Sequence, residues 1–181
     1  QTRTDRRERP FLVYSDGTTS GIETGEGEGD DAVVNHFPDP QIYQEGAGIE
    51  SIHTHPISND EALAAGHGYT GFSSGDLNNL HQFPGITRTT VVDLDRREYS
   101  ILRKSSDSEF LRNLWLRQRD IADEIHKENL DDFLDDRITR DQLKVRVRTA
   151  PLQVIARLEK EGFLIYSDSG KPSTDEEKST A

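Results

Sequence analysis

Apolar runs of four to seven residues, separated by turn signals, organise the first hundred residues, and helical stripes take over afterwards. Residues 11–14, "FLVY", form a short apolar run closed by "SDG", the pattern of a buried strand stopped by a turn. The stretch 48–55, "GIESIHTH", alternates apolar residues or histidines with other residues and ends at Pro56, which predicts another strand. In "RTTVVDLDRREYSILRK" two β-rich runs meet at a polar "DRR" turn, the clearest hairpin in the chain. "FLIY" at 163–166 predicts a last strand. The segment "TTSGIETGEGEGDDAVVNHF" predicts two further strands around an acidic loop at 26–31, where glycines and like charges oppose regular structure, and "FPDP" predicts a turn.

Helical periodicity appears in three places. "SSGDLNNLHQF" predicts a short helix with a serine cap, stopped by Pro84 and Gly85, after a loop at 57–72 with one helical turn around "EALAA". Phe110, Leu111, Leu114, Ile121 and Ile125 line one face of a helix capped by Ser108 or Asp107. Residues 129–140, "NLDDFLDDRITR", are too acidic for a core and read as a linker or a solvated helix. "APLQVIARLEKEG" reads as a helix with its proline near the start and Gly162 at its end. No internal repeat is visible. The expected architecture is α/β: one domain over 8–166, with a core at 8–104 and C-terminal helices and a strand at 107–166, followed by a disordered acidic tail at 167–181.

Composition narrows the chemistry. Acidic residues outnumber basic ones 34 to 22, for a net charge of -12, a field that repels a phosphate backbone and predicts no nucleic-acid partner. Of the 22 basic residues 16 are Arg and six are Lys, a balance that with the acidic excess suits a high-salt cytoplasm such as that of a halophilic archaeon. A merely acidic mesophilic protein is the plainer alternative. No apolar stretch approaches the ~20 residues of a bilayer crossing, so no membrane partner is expected. "QTRTDRRERP" lacks the apolar region of a signal peptide, and the start at Gln1 predicts further sequence upstream. The expected location is cytoplasmic. With no cysteine, a metal would have to sit on His, Asp or Glu.

"SIHTHP", residues 51–56, holds two of the six histidines one residue apart. On a strand His53 and His55 project from the same face and can hold one ion between them, although two histidines on a solvated face are the simpler account. Downstream, "FSSGDL" places Ser73 and Asp76 just before a short helix, and Asp76 is an oxygen ligand of the right class to join them. Ser-x-x-Asp is equally a helix-capping arrangement.

Taken together, "HTHP" at 53–56 and "SSGD" at 73–76, followed by a β-hairpin, resemble the JAMM metalloprotease family, also called the JAB/MPN domain, over about residues 8–104. The resemblance implies a JAB/MPN-like (cytidine-deaminase-like) mixed, curved β-sheet flanked by helices with a helical C-terminal extension. It implies Zn2+ held by His53, His55 and Asp76, with Ser73 as oxyanion donor and an upstream glutamate as general base. Glu8 stands where the family's glutamate usually does, 45 residues before His53. Glu23 and Glu26 are rivals, whereas Glu50, an odd number of residues from His53, faces away. One departure is the sixteen residues between Pro56 and Ser73, more than the family's usual spacing. An insertion there brings in His67, whose plainest role is a surface one and whose alternatives are a substrate-loop residue or a replacement ligand.

The implied activity is hydrolysis of a peptide or isopeptide bond, typically between a lysine and the C-terminus of a ubiquitin-like protein. An extended tail of that kind is naturally held as an added strand, with 57–72 as its clamp. Two rivals remain: a catalytically inactive JAMM-like scaffold or protein-binding module, and a winged helix at "TAPLQVIARLEKEGFLIY", which the acidic field disfavours. Trp115 and Phe110 read as core or a partner-facing stripe. The residues leave the oligomeric state open.

Overall fold

The computed structural model describes residues 10–20, 39–54, 72–93 and 96–169. Five strands form one mixed sheet in chain order: β1 (Phe11–Val13), β2 (Ile49–Thr54), β3 (Ile86–Val92), β4 (Glu98–Arg103) and β5 (Leu164–Asp168). Only β2 and β3 run parallel; the other neighbours are antiparallel. Parallel neighbours need a long crossover, and theirs contains α1 (Ser74–Gln82). α2 (Ser108–Leu134) and α3 (Arg140–Lys160) form a long helical hairpin between β4 and β5. The molecule is therefore mixed α/β, with a five-stranded mixed sheet and three helices among the described residues.

Burial follows the pleat. β2 alternates between buried and half-buried residues along its whole length, so Ile49, Ser51 and His53 share the inner face and Glu50, Ile52 and Thr54 the outer one. On the outer face the Thr90 hydroxyl donates to the Glu50 carboxylate at 2.5 Å. α1 packs on β3, α2 on α1 and α3, and α3 on β5. Leu12, Ile49, Leu77, Leu80, Val91, Ile101, Leu114, Ile121, Ile155, Leu158 and Leu164 belong to one continuous core.

The end of the sheet where β2 and β3 begin is closed by a single 3-10 turn, Pro40–Tyr43, capped by Asp39. Gly85 N–H donates to Ile42 O at 2.7 Å, and Gly85 O accepts from Ile49 N–H at 2.9 Å. A Cβ on Gly85 would stand 2.8 Å from Ile42 O and closer still to Gln41 O, so the approach requires glycine. At each sheet margin the chain itself holds one outward strand amide. Leu12 N–H donates to Ser20 Oγ at 2.8 Å and Ser20 N–H to Leu12 O at 3.0 Å on the outer side of β1, while the Tyr166 N–H of β5 donates to Glu159 Oε1 of α3 at 2.8 Å.

Two expectations need correction, and one alternative is decided. The last helix begins at Arg140, not at the "AP" of 150–151, because Thr139 and Gln142 make a reciprocal capping box; Pro151 lies inside the helix. The segment 129–140, expected as a linker or a solvated helix, is helical through Leu134 and then turns, so the largely solvated helix holds for its first half. The tail does not start at Ser167: β5 continues through Asp168, and the Asp168 carboxylate accepts two bonds from Arg97, both at 2.8 Å. Of the two strands expected after β1, the described part shows one bridge, Thr19 to Val13. The remainder, the 57–72 loop and the tail beyond 169 lie outside the described residues. No described helix is long and apolar enough to cross a membrane.

Candidate metal centre

His53 stands one residue from the end of β2, on the inner face, with Val91 of β3 beside it. Asp76 stands in the first turn of α1, the helix that crosses over that strand pair. The fold brings them together: His53 Nε2 lies 3.1 Å from Asp76 Oδ1, and the two residues are only 7% and 6% exposed.

Local sequence explains why the acid arrives there. Ser73 caps α1, its Oγ accepting from Asp76 N–H at 3.3 Å, while Asp76 Oδ2 accepts from Ser73 N–H at 2.7 Å and from Ser73 Oγ at 2.8 Å. Buried Phe72, just before the cap, and Leu77, just after the box, both belong to the core, the two positions a hydrophobic staple uses. Asp76 thus divides its labour: one oxygen closes the helix cap and the other is directed to the imidazole. The capping reading of Ser-x-x-Asp holds, and the cap leaves Oδ1 turned toward His53.

A separation of 3.1 Å suits a direct N–H···O bond. It also suits two ligands of one cation: tetrahedral zinc at the usual ~2.0–2.1 Å from nitrogen and oxygen sets such donors about 3.3 Å apart. Neutral imidazole and carboxylate are a donor set that zinc accepts, so these two residues fit the ion by type and spacing. Among the described residues, no group of three or more metal-binding side chains converges. His55, Glu8, Glu23, Glu26 and His67 lie outside the described residues. Ser73 is exposed, and Glu50 lies on the opposite face of β2 from His53.

One carboxylate at this end of the sheet has no counterpart among the residues the sequence singles out. Asp93, buried just after β3, accepts from Arg97 N–H at 2.9 Å and has the Tyr99 hydroxyl 3.5 Å away. Tyr99 pairs in register with Val91, as Val91 does with His53, so these groups continue the row that His53 begins. Arg97 lies over the Tyr99 ring at 5.3 Å while clasping Asp168. The sequence signal for Asp93 is an acid closing an apolar β-run, which is indistinguishable from the polar start of a hairpin turn.

Comparisons with protein-family profiles, with curated proteins and with solved structures return no match to this chain.

Proposed function

We propose that this chain is a zinc-dependent hydrolase of the JAMM type that cleaves a peptide or isopeptide bond, removing a ubiquitin-like modifier from conjugates. The observation that carries the reading is the 3.1 Å approach of His53 Nε2 and Asp76 Oδ1, made between the end of one strand and the first turn of the next helix. Two residues 23 positions apart, picked out by the motif, meet in a buried place. His53, His55 and Asp76 would hold the ion. When bound, zinc supplies Lewis acidity toward the scissile carbonyl and a water acidified toward pKa ~7.

The chain's own residues do the rest. Ser73 offers an exposed hydroxyl that can leave Asp76 Oδ2 and donate to the oxyanion of the tetrahedral intermediate, a contribution of about 3 kcal/mol where such donors have been removed. Glu8 is the proposed base, taking a proton from the attacking water and delivering it to the departing amine. It precedes β1 by three residues, which reach at most about 10 Å. Because β1 and β2 are antiparallel, the start of β1 and the His53 end of β2 share one end of the sheet.

A second reading, a catalytically inactive JAMM-like scaffold, is favoured by a specific observation: both oxygens of Asp76 already have protein partners, so the His–Asp contact suffices as a structural tie. Metal analysis separates the two. The hydrolase should carry zinc near one equivalent, lost in His53→Ala and Asp76→Ala. A chelator should abolish cleavage of ubiquitin-like conjugates, and Glu8→Gln should lower turnover about 10²–10⁴-fold with zinc retained. Purified protein without zinc and unable to take it up would leave the scaffold reading standing. Full activity in Glu8→Gln would pass the base to Glu23 or Glu26.

A further inference from the structure

Arg103, the last residue of β4, is a buried cation that the proposed chemistry does not use. It is 4% exposed, and burial pushes its guanidinium down to about 10, with no carboxylate paired to it among the described residues. Its two terminal nitrogens donate at and just beyond the C-terminal end of α1, while its buried Nε has no hydrogen-bond partner among those residues. Nη1 donates to Leu80 O, while Nη2 donates to Pro84 O at 2.7 Å and to Ser106 Oγ at 3.1 Å. The carbonyl end of a helix is its negative end, which is where a buried guanidinium finds compensation without a carboxylate. Leu80 follows Asp76 by one helical turn on the same buried side of α1. The helix is therefore tied to the sheet at two places about one turn apart, by Asp76 to His53 of β2 and by the Leu80 carbonyl to Arg103 of β4.

We infer that Arg103 is a positioning residue for the candidate centre: by gripping the carbonyl end of α1 from β4, it sets where that helix presents Asp76 to His53. The inference rests on reading His53 and Asp76 as one site. The chemistry calls for arginine in particular, since a planar fork reaches a helix carbonyl, a turn carbonyl and a hydroxyl at once, whereas an ammonium on a flexible stem is a point charge. Losing a group that bonds a ligand directly typically weakens metal affinity about 10–100-fold, and Arg103, one step further out, should act at the lower end of that range.

The test compares wild type, Arg103→Met, Arg103→Lys and the milder Ser106→Ala under conditions where far-UV circular dichroism shows each folded. Zinc affinity is measured by competition with a chromophoric chelator, the visible absorption of the cobalt-substituted proteins is recorded, and amide exchange is followed by NMR in metal-free protein. The expected result is zinc binding weakened about 10-fold in Arg103→Met and less in Arg103→Lys and Ser106→Ala. The cobalt bands should change, and α1 amides from Asp76 to Phe83 should exchange faster while those of α3 do not. A lowered melting temperature with unchanged zinc affinity, cobalt spectrum and α1 protection would overturn the inference, leaving Arg103 as packing alone. If wild type binds no metal, the hydrolase reading fails, and the α1 amides by themselves decide whether Arg103 positions the helix. Should Arg103→Met fail to fold, the Lys and Ser106 variants carry the same comparison.

Discussion

Asp76 carries two roles on two oxygens, which makes its neighbours separable by mutation. Ser73→Ala removes one capping acceptor and should cost about 1 kcal/mol of stability in a denaturant titration. On the hydrolase reading the same change should lower turnover about 10²–10³-fold, well beyond what that stability loss produces; equal, small effects on both would make Ser73 a cap only. His81, in the last turn of α1, gives a pH signature. Burial holds its imidazole below the ordinary 6.5, so the unfolded chain binds that proton more tightly. Its contribution is complete above about pH 6.5 and is lost as pH falls from there through the lower folded-state value. Denaturant midpoints at about pH 7.5 and about pH 5.5 should therefore drop less in His81→Gln than in wild type, and an identical drop would remove His81 from the account.

Among the elements, β2, α1, the β3–β4 hairpin, α2 and β5 were legible because period and punctuation agree in each. "IESIHT" alternates, "SSGD" caps, and Leu111, Leu114, Ile121 and Ile125 keep the helical period through to burial. The start of α3 was not legible because Pro151 is a strong start signal in isolation. Its missing N–H and fixed φ are usually tolerated only in a first turn, but here eleven helical residues precede it, and Thr149 Oγ1 turns back to Val145 O and Arg146 O. The tail boundary failed for a long-range reason: Asp168 sits in polar sequence and is ordered by Arg97, 71 positions away. Of the candidate site, the meeting of His53 with Asp76 was legible in the motif, whereas Arg103 and Asp93 are held by contacts that no local pattern encodes. Gly85 illustrates the same limit, since it reads as a helix stop but is required by the approach of Ile42. Gly85→Ala should lower stability by about 1–3 kcal/mol, measured by thermal or denaturant unfolding, and a neutral result would mean that the 3-10 turn moves aside freely.

For the whole molecule, charge sets the balance outside the core. The helical hairpin carries a linked set of surface ion pairs: Arg117 with Glu124 and Glu161, and Arg157 with Glu124 and Glu128. Exposed pairs of this kind contribute little each, whereas a net charge of -12 works against compaction as a whole. Screening should relieve the larger effect. The urea midpoint is expected to rise between about 0.1 M and about 2 M KCl, and a fall would show that the ion pairs outweigh the global repulsion.

The partly self-occupied margins of the sheet bear on how it meets other chains. With Ser20 Oγ on the Leu12 amide of β1 and Glu159 on the Tyr166 amide of β5, each described flank has an outward amide already engaged, which interrupts the row that an approaching backbone would use. Copies of the protein are thereby discouraged from zipping together into fibrils. A peptide that adds in extended form alongside Leu12 or Tyr166 has to displace the side chain that already holds that amide.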